Sequence, residues 1–315
     1  MAYSLYKLKF STGLHIGKHV GGSSLDDGSM TIHSDTLFSA LCCESTKSNR
    51  IKEIYDCFEK NRLIISDALP FYKDDLFLPK PILFMPNSKQ ENSSAIKKKK
   101  LKDIEYLPLS KFNDYLQGFS EDIIDPDSIE YEFGTMVVET KNAIKGYSEA
   151  MPYNLAYWRF NQDSGLYIIV KYEDKQALSI FEDCLWDLGL SGIGGKQSSG
   201  FGKFSVEKFT VPKLLLSLLN KEKADYQMLL GIGLPEDREL DKMLEDGWYR
   251  VLRRGGFIRS ETYAQTPMKK RTIFALSSGS CLKERFDGVI LDLSNEGGAH
   301  PVWRCCKTLF VGVSL

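Results

Sequence analysis

The stretch GIGGKQSSGFGKF, at residues 192–204, places five glycines among amide, hydroxyl and ammonium donors. Glycine lets a backbone approach a ligand closely, and successive N–H groups can form an anion-binding concavity. Phosphate is the anion that such a surface suits best. The spacing is not that of a P-loop, and the stretch leads into a strand, unlike a dinucleotide fingerprint. The alternatives are therefore a phosphate-binding loop and an ordinary polar turn.

A second candidate anion site is the helix start at His33, Ser34 and Asp35, in front of the apolar run LFSAL. The N-terminus of a helix offers free N–H groups to a phosphate. The carboxylate of Asp35 can instead satisfy those donors as a cap. Both interpretations stay open on sequence alone.

The chain has four histidines, His15, His19, His33 and His300, which are the candidates for general acid–base chemistry. Such chemistry needs one group that takes up a proton and a second group that protonates the leaving atom. No second partner is evident beside any of the four, and His300 is expected to be structural. A binding protein is therefore favoured over an enzyme.

The formal net charge is −1, from 41 Lys and Arg against 42 Asp and Glu. A general nucleic-acid-binding protein carries a strongly positive balance, whereas one basic groove needs only a local excess. The chain shows neither a secretory signal nor an apolar run long enough to span a membrane, so we expect a cytoplasmic protein. Seven cysteines without a CxxC spacing indicate neither a disulfide framework nor a zinc site. We expect no metal and no other cofactor.

Alternating and three-to-four apolar spacings divide the first two thirds of the chain into strands and helices. A helix over 173–190 precedes the glycine-rich stretch, and a strand over 203–211 follows it. A hairpin-like excursion is expected over 135–154. The order is strand, helices, strand, insertion, strands, helix, glycine loop and strand, which is the βαββαβ order of a ferredoxin-like or RRM-type fold.

The predicted fold class is α+β, with two ferredoxin-like (RRM-type) domains that carry insertions. The first domain is expected over residues 1–211 and contains the glycine-rich stretch. A mobile insertion is expected near 86–103, where apolar residues are few and Lys97–Lys100 follow one another. The second domain, 212–315, is expected to be degenerate and strand-rich.

The glycine-rich stretch resembles the signature of the RAMP superfamily of CRISPR RNA-binding proteins, which places such a loop before the last strand of a ferredoxin-like domain. Three further segments, at 15–42, 151–170 and 300–313, are similar to subunit four of the type III-A Csm effector complexes. The similarity extends along essentially the whole chain. Four motifs in the same order are more specific than the glycine-rich stretch alone.

The resemblance implies an RNA-binding subunit without catalytic residues that acts in antiviral defence against foreign nucleic acid. It would cap the repeat-derived 5′ tag of the CRISPR RNA. Its implied partners are that RNA, the large Cas ten subunit and the backbone Csm subunit three, with no membrane. Related RAMP proteins cut precursor RNA at a His-centred site, so a metal-independent endoribonuclease that processes precursor CRISPR RNA is the alternative, with His15 and His33 near the predicted groove. A purely structural adaptor is a third possibility, which the net charge near zero mildly favours.

The resemblance and the residue types together predict one RNA-binding surface. Segment His15–Lys18 and the helix start would face the same groove as the glycine-rich stretch. The excursion around Lys141–Lys145 would be a hairpin thumb that bends the RNA, and arginines of the second domain are further candidates. The predicted RNA-binding residues are His15, Gly17, Lys18, His33, Ser34, Lys141, Asn142, Lys145, Gly192, Gly194, Gly195, Lys196, Gln197, Ser198, Ser199, Gly200, Phe201, Gly202, Arg253 and Arg254.

Overall fold

The computed structural model describes residues 1–17, 25–83, 99–100, 102–118, 125–143, 151–260 and 262–315. The strands of the first two thirds are β1 (Ala2–Phe10), β2 (Leu63–Ile65), β3 (Leu69–Tyr72), β4 (Asp75–Pro79), β5 (Tyr106–Pro108), β6 (Gly134–Ala143), β7 (Met151–Phe160), β8 (Ser164–Tyr172) and β9 (Phe204–Phe209). Seven of them form one antiparallel sheet in the order β5, β4, β3, β8, β1 and β9, in which β2 also pairs with β8. The glycine-rich stretch leads into β9, at one edge of this sheet.

The central strand β1 is buried on both faces because the sheet has an apolar core on each side. Tyr6 and Leu8 belong to the first core, whereas Leu5 belongs to the second. In the neighbouring β8, Ile168 belongs to the first core and Ile169 to the second. Successive side chains of a strand point to opposite faces, so a sheet covered on both sides needs nearly continuous apolar runs.

Helices cover the two faces of the sheet unequally. The helices are α1 (Ser34–Lys47), α2 (Ile51–Glu59), α3 (Phe112–Gly118), α4 (Lys175–Ser191), α5 (Lys213–Leu219) and α6 (Leu240–Leu244). Helices α1, α2 and α4 close the first core, and α3 and α5 pack on the second. Asp174 caps the start of α4, because its carboxylate accepts from the backbone N–H of Ala177 (2.8 Å), and Gly192 caps the end of the helix.

Strands β6 and β7 form a separate antiparallel hairpin of ten residues each. It is anchored in the protein through β7, where Leu155 and Ala156 are buried. Val138, directly opposite Ala156 on β6, and Met151, at the far end of the hairpin, are exposed. The predicted excursion over 135–154 is thus a two-stranded hairpin, whose connecting residues 144–150 lie outside the described part of the chain.

The last third of the chain is rich in short strands. They are β10 (Tyr226–Leu229), β11 (Val251–Arg254), β12 (Ile273–Leu276), β13 (Cys281–Leu282), β14 (Ile290–Asp292), β15 (Trp303–Cys305) and β16 (Phe310–Val313). They form a three-stranded sheet in the order β13, β10 and β16, and two-stranded ribbons β11–β12 and β14–β15. Met228, Val311 and Val313 belong to the second core together with Leu5, so this region packs on the face of the main sheet opposite α1.

The predicted mixture of helices and strands is confirmed, with antiparallel sheets and few helices. Residues 62–72 contain the two short strands β2 and β3, because the chain turns away between them. There Asp67 donates its N–H to the carbonyl of Leu230 (2.8 Å) instead of continuing the ladder with β8. Most of the insertion expected near 86–103 lies outside the described residues.

Candidate nucleic-acid interface

The glycine-rich loop (residues 192–202) connects α4 with β9 and is fixed to the rest of the chain. The backbone N–H of Ile193 donates to the carbonyl of Gly202 (2.9 Å) and closes the loop on itself. The N–H of Gly195 donates to the carbonyl of His15 (2.9 Å), in the segment that follows β1. The loop is therefore docked on its own scaffold, and it is not a free polar turn.

Most glycines of this loop serve close packing within the chain. Gly194 and Gly202 have φ angles of +91° and +74°. A Cβ on Gly202 would overlap the carbonyl oxygen of Ile193, and one on Gly194 would overlap that of His15. Gly200 differs, because its φ is +85° but a Cβ there would meet no described atom within 4 Å. Gly200 is therefore the position of the loop that leaves space for a ligand.

Two lysines join the glycine-rich loop to the β6–β7 hairpin through aromatic rings. Nζ of Lys196 lies 4.5 Å from the ring centroid of Tyr153 and donates to its hydroxyl (3.2 Å). Nζ of Lys141 lies 4.6 Å from the centroid of Phe201, against which Tyr157 packs edge-on. Such cation–π contacts hold an ammonium group without neutralising it. Lys141 is also paired with the carboxylate of Glu139 (3.6 Å), so the positive charge of the junction comes mainly from Lys196.

A cleft of about 650 Å³ opens between the glycine-rich loop, helix α1 and the last third of the chain. One wall contains residues 15–17 with the loop, and the other comes from residues 253–272. The basic residues that line it are Lys47, Arg253, Arg259, Lys269 and Lys270. Among its described lining residues the acidic side chain is that of Glu44, which is paired with Lys47 (2.7 Å). The cleft therefore carries an excess of positive charge.

Arg259 connects the two walls of the cleft. Its guanidinium donates to the amide oxygen of Gln197 and lies 3.5 Å from the carbonyl oxygen of Gly194. The amide nitrogen of Gln197 in turn donates to the carbonyl of Gly192 (2.6 Å). Gln197 was predicted as an RNA contact, and the structure engages both ends of its amide in this bridge.

Lys270 lies partly buried in the cleft beside a cluster of charges. Burial, together with the positive charge of Arg304, lowers the pKa of Lys270 to about 8. Arg254 acts in the same direction, while Asp35 and Cys43 oppose it. The surroundings of Lys270 therefore disfavour its ammonium form, and an anion bound in the cleft would stabilise that form.

Arg254 was predicted to contact RNA, but its side chain is buried. It is 3% exposed, and its guanidinium donates to the carboxylate of Asp35 (2.6 and 2.9 Å). Its neighbour Arg253 is exposed and lines the cleft. Successive residues of a strand face opposite ways, so one arginine of the pair is buried and only the other is accessible.

The start of α1 is occupied by a carboxylate of the chain itself. The backbone N–H of Ser34 donates to Asp67 (2.7 Å), and Nδ1 of His33 lies 2.8 Å from the same carboxylate. The hydroxyl of Ser34 accepts from the N–H of Ile232 (3.0 Å), and Ser34 is buried. The phosphate site predicted at this helix start is therefore filled by Asp67, and Asp35 pairs with arginines instead of capping the helix.

His15 holds the glycine-rich loop against β7. It is 6% exposed, and its Nδ1 lies 2.6 Å from the carbonyl oxygen of Ala156. Its ring packs under Gly195, where a Cβ would come within 2.6 Å of Cδ2. This packing explains why the loop has a glycine at that position, and it leaves little of the ring accessible to an RNA.

The remaining predicted residues divide between the cleft and the hairpin junction. Gly17, Gly194, Gly195 and Gln197 line the cleft with Arg253. Asn142, Ser198 and Ser199 are exposed nearer the hairpin or on the loop. Lys18 and Lys145 lie outside the described residues. The cleft residues that were not among the predicted ones include Lys47, Phe257, Arg259, Lys269 and Lys270. The sequence signals for the last four are the arginines on either side of GGF (residues 255–257) and the basic run KKR (residues 269–271).

Two negative findings apply to the part of the chain that the structure describes. None of its helices combines the length and the apolarity that crossing a bilayer requires. No three side chains among its His, Cys, Asp and Glu gather in a way that could hold a metal ion.

The fold and the loop are those of the RAMP superfamily, whose family model matches residues 7–205. Residues 222–313 match the model described as the CRISPR Csm4 C-terminal domain. The protein "CRISPR system Cms protein Csm4" of Mycobacterium tuberculosis (strain CDC 1551 / Oshkosh) is 32% identical over 94% of this chain and 94% of its own length. The Csm4 protein of Streptococcus thermophilus is 30% identical over 98% of both chains. The chain belongs to the Csm4 family, which confirms the resemblance found in its sequence.

Solved structures of low identity share the fold. A chain of the Csm3–Csm4 subcomplex of the type III-A CRISPR-Cas interference complex superimposes with a TM-score of 0.66 at 19% identity, covering 99% of this chain and 100% of that one. A chain of a Csm1–Csm4 cassette in complex with pppApA gives a TM-score of 0.62 at 19% identity, covering 100% and 99%.

Proposed function

We propose that the chain is the subunit of a type III-A CRISPR interference complex that binds the 5′ tag of the CRISPR RNA in antiviral defence. The observation that carries this proposal is the cleft, in which Arg253, Arg259, Lys269 and Lys270 face the glycine-rich loop. Phosphate groups are the natural counter-charge for such a row of cations. The net charge of −1 does not oppose it, because a polyanion responds to the local field.

The position of the β6–β7 hairpin favours a bend in the bound RNA. It stands beside the loop, where Lys141 of the hairpin lies on the ring of Phe201 and Lys196 of the loop lies on the ring of Tyr153. An RNA strand that leaves the cleft over Gly200 meets this hairpin. The hairpin then acts as a thumb that separates the tag from the guide.

We also propose that the chain consists of two ferredoxin-like units, over 1–211 and 212–315. The order β9, β1, β8 and β3 with α1 and α4 on one face supports the first unit. The three strands β13, β10 and β16 support a reduced second unit. The second core is shared between the units, so the cleft between them is bounded by two parts that pack together.

The partners are proposed from the relatives of this chain. Solved relatives are titled as a Csm3–Csm4 subcomplex and as Csm1–Csm4 cassettes. This chain accordingly docks the backbone subunit three and the large Cas ten subunit. We propose no catalytic role, because the rings of His15 and His33 are engaged with Ala156 and Asp67 rather than placed as a free acid–base pair.

The test is a binding titration with two RNAs, one with its repeat-derived 5′ tag and one with that tag scrambled, each at two salt concentrations. Preference for the intact tag with full-length RNA throughout supports the proposal. Shortened RNA instead supports the endoribonuclease. Equal or absent binding to both RNAs contradicts tag recognition by this chain and favours the adaptor.

Lys196→Ala is expected to weaken tag binding and to reduce the salt dependence of the affinity. Each phosphate contact to a single strand contributes a slope of about −0.7 to the logarithm of affinity against the logarithm of salt concentration. The slope should therefore become shallower by about 0.7. Lys175→Ala is the matched control, because Lys175 is exposed at the opposite end of α4. An unchanged slope for Lys196→Ala would mean that Lys196 touches no phosphate.

Tag affinity is expected to fall as the pH rises above about 8. The pKa of Lys270 is lowered to about 8 in the free protein, and phosphate in the cleft favours its charged form, so binding takes up a proton. The affinity is full below this pKa and decreases above it, by at most about tenfold per pH unit for one proton. Arginine stays charged throughout this range, so Lys270→Arg should flatten the profile between pH 7 and 9.5. The same slope in both proteins would assign the proton to another group.

A further inference from the structure

Phe257 is an exposed aromatic side chain on a rigid part of the cleft wall. Its side chain is 50% exposed and lines the cleft. The backbone on both sides of it is fixed, because Ile258 donates to the carbonyl of Met268 (2.8 Å) and Lys270 donates to that of Gly256 (3.0 Å). The position of the ring is therefore set by the fold.

The surroundings of this ring are basic. Nζ of Lys269 lies 5.3 Å from its centroid, and Arg253, Arg259 and Lys270 line the same cleft. A protein partner that covered Phe257 with apolar side chains would bury these cations without counter-charge, which is costly. A single-stranded nucleic acid satisfies both features, since its bases stack on aromatic rings while its phosphates meet the cations.

We infer that Phe257 is a stacking platform for one base of the RNA held in the cleft. This inference rests on the proposed function and adds a contact of another kind to it. The cations recognise the backbone regardless of sequence, whereas the ring holds one nucleobase at a fixed place opposite the glycine-rich loop. Every base can stack on an aromatic ring. The contact therefore fixes which nucleotide of the strand lies at Phe257, and it selects little for the identity of that base.

The chain offers a matched control in Phe274. It is 62% exposed and belongs to the ribbon β11–β12, where it pairs directly with Arg253. It is not among the described residues that line the cleft. A general effect of removing an exposed aromatic ring from this region would therefore appear in both variants, and an effect of stacking only in Phe257.

The experiment measures binding of the full chain to RNAs that carry the intact tag, by fluorescence anisotropy. Phe257→Ala is expected to weaken binding by about 5- to 150-fold, the range that one lost base–aromatic stack produces. The salt slope should stay unchanged, because no phosphate contact is removed. Phe257→Trp should retain the affinity, and Phe274→Ala should match the unsubstituted chain. Thermal unfolding of each variant verifies that the fold is intact.

A second set of RNAs, each with one abasic nucleotide in the tag, identifies the base. One abasic position should weaken binding to the unsubstituted chain but have little further effect on Phe257→Ala, since both changes remove the same contact. Additive losses at every position would overturn the inference, and so would unchanged affinity of Phe257→Ala or an equal loss in Phe274→Ala. Failure of the unsubstituted chain to bind any tagged RNA would instead contradict the proposed function and the inference with it.

Discussion

Asp35→Asn is expected to lower the free energy of unfolding by about 3–5 kcal/mol, the cost of removing one partner from a buried ion pair. The carboxylate of Asp35 is fully buried and is held by the guanidinium groups of Arg254 and Arg304. Asparagine keeps the shape but leaves two buried positive charges without a counter-charge. Urea unfolding of the two proteins measures the difference. Asp187→Asn is the control, because Asp187 is exposed on α4 and little change is expected there.

The loss of stability in Asp35→Asn should become smaller as the pH falls. Burial opposes the charged form of Asp35, but the charges of Arg254 and Arg304 outweigh it and hold the pKa below its ordinary value of 3.8. A group with a lowered pKa in the folded state stabilises the protein above the pKa of the unfolded state and loses this effect as the pH falls. The difference between the two proteins should therefore be full at pH 6 and shrink below about pH 4.

A combined variant separates unpaired charge from lost packing. Asp35→Leu with Arg254→Met and Arg304→Met removes all three charges together, and hydrophobic replacement of a buried ion cluster is often neutral or stabilising. Its stability should exceed that of Asp35→Asn. If it is no more stable than Asp35→Asn, the arginines contribute through their other hydrogen bonds, such as that of Arg304 to the carbonyl of Gly255 (3.2 Å).

This ion cluster also positions the cleft. Asp35 lies on α1, whereas Arg254 and Arg304 lie on β11 and β15 in the last third of the chain. Arg253, the neighbour of Arg254, points into the cleft from the opposite face of β11. The buried ion cluster therefore sets the distance between the wall that carries the cleft cations and the scaffold that carries the glycine-rich loop.

Periodicity predicted the elements better than it predicted the accessible residues. The helix expected over 173–190 is α4, Lys175–Ser191, because one face of it carries a regular apolar stripe and a glycine ends it. The place of the glycine-rich loop between this helix and the last strand of the sheet followed from the same pattern. Local spacing is sufficient for such features, since they depend on contacts a few residues apart.

The accessible surface depended on contacts between distant segments. The sequence did not distinguish Arg253 from Arg254, because which face of β11 is buried depends on Asp35, more than two hundred residues earlier. His15 is withdrawn from the surface by a carbonyl on β7. Lys269 and Lys270 join the cleft only because their segment pairs with residues 256–258. Such placements follow from tertiary packing, which no local pattern encodes.

For the glycines of the loop, too, tertiary packing decides what each position tolerates. Gly202→Ala is expected to destabilise the protein by about 3 kcal/mol or more. Its φ of +74° disfavours a side chain, and a Cβ there would also overlap the carbonyl oxygen of Ile193, so backbone strain and a steric clash add. Gly200→Ala is the matched control. Its φ is +85° but the space beside it is open, so only the cost of the left-handed conformation, about 1 kcal/mol, is expected.

The two variants together separate folding from binding, with unfolding by urea as the measure of stability and titration with the tagged RNA as the measure of affinity. Gly202→Ala should lose affinity as a consequence of its altered loop. Gly200→Ala should keep its fold, and a loss of tag affinity in it would mean that RNA passes within contact distance of this exposed turn. Full affinity in Gly200→Ala would place the strand on the cleft side of the loop, against Arg259 and Lys270. Equal stability of the two variants would contradict the close packing of Gly202 on Ile193, because one position is open and the other is not.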